Sequence, residues 1–178
     1  MEKGAIFIDG GYLSKILKMY FGEPRIDYLK LSNEICSELH LLRLRTYFYD
    51  CMPIIRENNG EDKRKYAEKQ KFIDKIQRLP MFEVKKGKLQ IIGGEFKQKM
   101  VDVLMSLDIA DRCFDNQIQH AILIAGDSDF IPAIKKAKDY GAIIHLYYHP
   151  LSKHDALLDV IDELHPFTQE FIDKILLP

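Results

Sequence analysis

His120-Ala121-Ile122-Leu123-Ile124-Ala125-Gly126-Asp127-Ser128-Asp129-Phe130-Ile131 carries an uninterrupted apolar segment straight into two aspartates separated by a single residue. A strand that is apolar on both of its alternating faces is covered on both sides, as in a parallel α/β sheet, and such sheets bind ligands just beyond the carboxyl ends of their strands. Asp127 and Asp129 therefore stand where sites form. The arrangement recurs near the start of the chain, where Ala5-Ile6-Phe7-Ile8 leads into Asp9-Gly10-Gly11. Two strand ends offer carboxylates.

Outward from these strands, the sequence alternates helical and extended patterns. A helix is predicted from about Tyr12 to Tyr20, followed by the turn cluster Gly22-Glu23-Pro24. A second helix, capped by Asp27 or Ser32, runs through Leu39 with Leu31, Ile35 and Leu39 on one face. Leu42 to Tyr49 reads as a strand, Cys51 to about Asp62 as a loop, and Lys63 to Leu79 as a charged helix with Tyr66, Phe72, Ile73 and Ile76 inward, stopped by Pro80. Phe82 to Ile92, interrupted by Lys86-Gly87-Lys88, reads as a short strand pair, with Gly93-Gly94 a second flexible point. Then come a helix over Val101 to Phe114, a strand over Ala121 to Ala125, a helix over Ile131 to Tyr140 closed by Gly141, and a strand over Ala142 to Tyr148. The stretches Ala156 to Leu164 and Phe167 to Leu176 read as helical around Pro166. Such β-α alternation predicts a right-handed, mostly parallel sheet flanked by helices, one α/β domain over residues 1–178 with a helical extension from about 156.

The chain has 178 residues, 47% hydrophobic and 30% charged, enough to bury a core without disulfides. Cys36, Cys51 and Cys113 show no CxxC pairing and read as buried or idle thiols. The start Met-Glu-Lys-Gly lacks a signal-peptide pattern and no apolar run reaches the roughly 18 residues of a membrane span, so the expectation is a cytoplasmic protein with no membrane partner. The net charge is −1, but its distribution is uneven: residues 56–99 hold 13 Lys and Arg against 7 Asp and Glu, whereas the remainder holds 13 against 20. A basic segment beside an acidic centre suits a polyanion whose phosphates meet the lysines while the acids take cations. A solvated helix face and hairpin would account for any single lysine equally well.

A third source of acids is the helix beginning near Val101. Asp102 falls in its first turn, where the helix dipole favours a carboxylate. Asp108, six residues on, is turned roughly 120° away and supports the site from behind or pairs with a base such as Lys99.

Phe7-Ile8-Asp9-Gly10, then Lys99-Met100-Val101-Asp102 with Asp108, then Ala125-Gly126-Asp127-Ser128-Asp129-Phe130 and Gly141 resemble the motifs of NYN domains, specifically the LabA/DUF88 branch of the PIN-like nuclease superfamily. The resemblance extends from Ala5 to about Tyr148. It implies a Rossmann-like PIN/NYN fold and an acidic site dependent on Mg2+ or Mn2+ that cleaves RNA in the family's active members. By position, Asp9, Asp102, Asp127 and Asp129 match the acids surrounding the metal. One departure stands out: many relatives have Asn three residues after the first Asp, where this chain has Tyr12, a side chain that coordinates hard cations poorly.

Clustered aspartates suit phosphodiester hydrolysis, because magnesium and manganese prefer oxygen ligands and can activate water and relieve phosphate charge. The expected roles are Asp9 and Asp127 as central ligands, Asp102 and Asp129 holding waters, Ser128 touching phosphate or water, and Lys85, Lys86, Lys88, Lys97 and Lys99 contacting the RNA backbone. Ser128 reads equally well as a cap ahead of the next helix. Phe82 is a candidate for base stacking, and of Tyr47, Tyr49, Tyr147 and Tyr148 about half must be core. His145, His149, His154 and His165 show no ligand spacing on one helix; His145, inside an apolar strand, reads as a core or rim histidine. Phe171, Ile172, Ile175, Leu176 and Leu177 pack either on the sheet or, in a homodimer, on a second chain, the former being favoured.

Other readings fare worse. A dehalogenase-type phosphatase needs Asp where Gly11 stands, a toprim domain wants Glu where Asp9 stands, and a dinucleotide fold needs GxGxxG where Gly10-Gly11-Tyr12 stands. The serious competitor is a catalytically silent NYN domain that regulates by binding RNA or a protein.

Overall fold

The order of elements is β1 (Lys3–Asp9), α1 (Gly10–Tyr20), α2 (Tyr28–Glu38), β2 (Leu42–Cys51), α3 (Gly60–Gln77), β3 (Phe82–Ile92), β4 (Glu95–Lys99), α4 (Val101–Phe114), β5 (His120–Ile124), a 3-10 turn at Ser128–Phe130, α5 (Ile131–Asp139), β6 (Ile143–Tyr148), α6 (Asp155–Leu158), β7 (Glu163–Pro166) and α7 (Gln169–Lys174). The structure, a computed structural model, describes residues 1–57, 59–92 and 95–178, with the backbone alone for 88–92 and 95–99. Its strands form one sheet in the order β4-β3-β2-β1-β5-β6-β7. Six of them run parallel, and β4 is antiparallel to β3. From β1 the chain moves outward through β2 and β3, then returns to the opposite side of β1 as β5 and continues to β6 and β7. The sheet therefore changes direction between β1 and β5, where the two flanking connections part and leave a crevice at the carboxyl ends.

Alternation along β1 divides the core. Ile6 and Ile8 face a cluster with Leu13 and Ile16 of α1, Leu31 and Ile35 of α2, and Phe171 and Ile172 of α7. Ala5 and Phe7 face Met105 and Ile109 of α4 and Ile134 of α5. Each such aliphatic side chain contributes about 1.5–3 kcal/mol on full burial, so the two central strands are the most strongly held part of the sheet. Of the two caps proposed for α2, Asp27 serves, its carboxylate accepting from the amides of Leu29 and Lys30 at 2.9 and 3.0 Å. Cys36, Cys51 and Cys113 are all buried.

Two expectations are corrected. Phe82 to Ile92 is one strand rather than a pair, because at Gly87 and Lys88 it changes partners instead of turning. Phe82 to Gly87 pair with β2, and Lys88 to Ile92 pair with β4. The stretch predicted as helical through Leu164 ends in a strand: Glu163 to Pro166 pair with His145 to Tyr148. Pro166 is tolerated as the last residue of an edge strand, where no ladder amide is required. The apolar C-terminal face turns inward, with Phe171, Ile172 and Ile175 buried in the same cluster as Ile6 and Ile8. Nothing in this packing supports a homodimer. Gly93-Gly94 lies outside the described residues, as does Asn58.

Gly10 fixes how closely α1 approaches β2. A Cβ there would meet Phe48 Cζ at 2.6 Å, the Tyr49 carbonyl oxygen at 2.8 Å and Asp50 Oδ2 at 3.0 Å. Gly10→Ala is expected to destabilise the protein by about 1–3 kcal/mol, read as a lower urea midpoint at unchanged slope. An unshifted midpoint would contradict this packing.

Candidate metal centre

The carboxylates arrive on three separate elements. Asp9 ends β1 and serves as N-cap of α1, its Oδ1 accepting from the Tyr12 amide at 3.0 Å. Asp127 follows β5 and caps the short 3-10 turn, accepting from the Asp129 amide at 3.1 Å. Asp102 lies in the first turn of α4, which is preceded by Met100 in a left-handed conformation that supplies no capping side chain. That leaves first-turn amides to favour a negative charge. Ligand oxygens of Asp102, Asp127 and Asp129 come within 4.8 Å of one another. Asp9 stands beside this trio and is influenced electrostatically by Asp102.

Crowding is visible in the acidities. Burial, with smaller contributions from the charges of Asp102 and Asp50, raises the Asp9 pKa to about 6. Burial followed by the charges of Asp127 and Asp129 also raises that of Asp102. An all-oxygen donor set under mutual repulsion fits a hard divalent cation, which relieves the repulsion that burial creates.

Asp50, at the end of β2 beside Asp9, was missed at the level of sequence. Its acid sits among alternating residues and carries no glycine signal. It is buried, accepts from the Cys51 amide at 2.8 Å and is paired with Lys69 of α3. Lys69 thus offsets a charge that would otherwise add fully to the cluster.

Tyr12 does not replace the amide expected at its position with another ligand. Its hydroxyl donates to the Ser152 carbonyl at 2.7 Å and accepts from the His149 amide at 3.0 Å. Burial raises its pKa to about 12, so it remains a phenol. The ring lies against Gly126, where a Cβ would meet Tyr12 Cε2 at 2.3 Å. Gly126 is therefore the room that Tyr12 needs to join α1 to the loop after β6.

The remaining predicted residues are distributed differently. Asp108 is buried; its Oδ2 accepts from the Tyr49 hydroxyl and its Oδ1 from Lys85, both at 2.7 Å. Lys85 is accordingly engaged inside this triad, while Lys86 is exposed and donates to Gln70 at 3.3 Å. The side chains of Lys88, Lys97 and Lys99 lie outside the described residues. Ser128 occupies the 3-10 turn that Asp127 caps, and α5 has no side-chain cap, so Ser128 does not cap the helix that starts at Ile131. Phe82 is buried with Arg43 over its ring and is unavailable for base stacking. Two cations that sequence reading did not select, Lys15 and Lys153, line a cleft of about 490 Å³ with Asp9, Tyr12, Asp127 and His154. They come from α1 and from the loop after β6, so only the folded order of strands brings them together.

Fold and site together define a Rossmann-like α/β domain with an acidic centre at the point where the sheet reverses direction. The chain belongs to the NYN domain family, whose model matches residues 3–170. A solved structure of a protein of unknown function from Vibrio parahaemolyticus shares the fold, with a TM-score of 0.65 and 22% identity over 99% of this chain and 96% of that one. Among curated proteins, no significant match is found. Among the described residues, no helix is long and apolar enough to cross a membrane.

The Asp9 carboxyl keeps its proton to about pH 6 in the folded protein, against 3.8 ordinarily. The folded state thus binds more protons between these values, and metal-free stability falls as pH rises through that window. Asp9→Asn, which can still cap α1, is expected to stabilise the chelator-treated protein at pH 7 by about 1–3 kcal/mol and to lose most of that advantage at pH 4. Destabilisation at pH 7 in chemical denaturation would contradict the assignment.

Proposed function

We propose that this protein is a metal-dependent ribonuclease of the LabA/DUF88 branch, hydrolysing RNA phosphodiester bonds at Asp102, Asp127 and Asp129 with Asp9 alongside. The observation that carries this reading is the convergence of the three carboxylates within 4.8 Å, in an NYN domain. A bound Mg2+ or Mn2+ would polarise the scissile phosphate and lower the pKa of the attacking water. Asp102, Asp127 and Asp129 would hold the cation. Asp9, with Oδ1 committed to the Tyr12 amide, uses its other oxygen to orient the water. Lys15 and Lys153 in the adjoining cleft draw in the phosphates on either side of the bond, and the exposed Lys86 extends the basic track. Ser128 contributes a hydroxyl to phosphate or water, while Asp108 steadies α4 from behind.

The alternative is a catalytically silent NYN domain that regulates by binding RNA or a protein. It is favoured by Tyr12, whose hydroxyl is spent on Ser152 and His149 rather than on the cleft.

Labelled single-stranded and hairpin RNAs, incubated with Mn2+, Mg2+ or chelator, distinguish the two. Cleavage is expected with either cation and not with chelator, and Asp102→Asn and Asp127→Asn are each expected to slow it by about 10²-fold or more. Lys15→Ala and Lys153→Ala are expected to weaken RNA binding and flatten its salt dependence. Silence of the wild type together with retained RNA binding would reject the nuclease in favour of the regulator.

A further inference from the structure

Three histidines form a diagonal across β5, β6 and β7, away from the carboxylate crevice. His120 opens β5, His145 is the third residue of β6, and His165 is the third of β7. Register makes the diagonal: His145 stands opposite Ile122 and Glu163, and His165 opposite Tyr147, so each imidazole is two residues further along than its neighbour's partner. The rings stack with centroids 5.2 and 5.4 Å apart, and His165 also lies flat against Tyr147 at 4.7 Å. The sequence intervals of 25 and 20 residues carry no motif; only the parallel register brings the rings together.

Their hydrogen bonds have a direction. His120 Nε2 lies 2.8 Å from the Glu2 carboxylate. With one proton per ring, that acceptor places the His120 proton on Nε2 and leaves Nδ1 to accept from His145 Nε2, 2.9 Å away. The lone pair of His145 Nδ1 then points the other way, toward His165 Nε2 at 3.2 Å and Glu163 Oε2 at 3.3 Å. The remaining side of this triangle, His165 Nε2 to Glu163 Oε2, is 3.8 Å. Two ligand atoms bound tetrahedrally to zinc at about 2.0–2.1 Å stand about 3.3 Å apart, so the three atoms have the spacing of one face of such a site.

We propose that His145 Nδ1, His165 Nε2 and Glu163 hold a divalent transition-metal ion of borderline softness, zinc being the best fit, at a site separate from the aspartate cluster. Two imidazoles and one carboxylate suit zinc and its neighbours, whereas the all-oxygen aspartates suit magnesium or manganese. His145 is buried, so its ring cannot turn away from the other two ligands. His120 and Glu2 supply the outer support usual for a ligating imidazole: the ring nitrogen opposite the metal donates along a chain that ends on a carboxylate. The ion would join β6 to β7, an edge strand of four residues.

The test is a titration of the chelator-stripped full chain with Zn2+ by calorimetry, and with Co2+ by visible absorption. It is repeated with His165→Gln, with Glu163→Gln, and with Asp102→Asn/Asp127→Asn combined. Both substituted residues at the new site are at least partly exposed, and circular dichroism checks that each variant is folded. The expected result is an ion with intense nitrogen-ligand cobalt bands, retained as the single bound ion in the double aspartate variant, with its affinity lowered at least about tenfold in His165→Gln and in Glu163→Gln. Failure to bind either ion, or binding lost with the aspartates and unchanged in His165→Gln, overturns the proposal.

Discussion

Repulsion among carboxylates at the mouth between β1 and β5 is the constraint around which this structure is arranged. Asp9, Asp102, Asp127 and Asp129 are delivered by the ends of two central strands and the start of one helix, and burial, reinforced by neighbouring carboxylate charge, raises the pKa values of Asp9 and Asp102 and so opposes their ionisation. A protein can sustain such a cluster only if the elements carrying it are held independently of it. The two apolar layers on either face of β1 and β5 provide that support, since neither strand depends on its terminal acid for its place. The free energy stored in the repulsion is then available to a cation.

Polar contacts away from the crevice complete the frame. Asp108 of α4 is tied to Tyr49 of β2 and Lys85 of β3, so the helix that presents Asp102 is anchored to two strands through one buried carboxylate. Removing one member would leave a buried charge or donor without a partner, a loss of about 3–5 kcal/mol for a charged pair. Lys69 similarly joins α3 to Asp50. On the other wall, Tyr12 holds the loop after β6 through Ser152 and His149, and Gly126 supplies the space for its ring. Tyr12 thereby forms part of the wall of the cleft.

Much of this was legible in the sequence because it is encoded locally. The apolar runs ending in Asp9 and Asp127 announce central strands, and glycine next to each acid marks a close backbone approach. The features that escaped are those set by register and strand order. Asp50 becomes a neighbour of Asp9 only because β2 lies against β1, and Lys15 and Lys153 share a cleft only because β6 lies beyond β5. Lys85, selected as a surface cation, is drawn inward by a partner on a helix more than twenty residues away. Gly87 looked like a turn because a change of strand partner and a reversal of the chain leave the same local signature. The histidine diagonal is the extreme case, with three rings spread over 46 residues and aligned by pairing alone.

The central claim is that the acids converge in order to hold a cation. Crystals soaked in Mn2+, with data collected for anomalous scattering, test it most directly. The account predicts a strong anomalous peak coordinated by Asp102, Asp127 and Asp129, absent from crystals of Asp127→Asn. An empty acidic crevice at saturating Mn2+, or a peak found only beside His145 and His165, would contradict it.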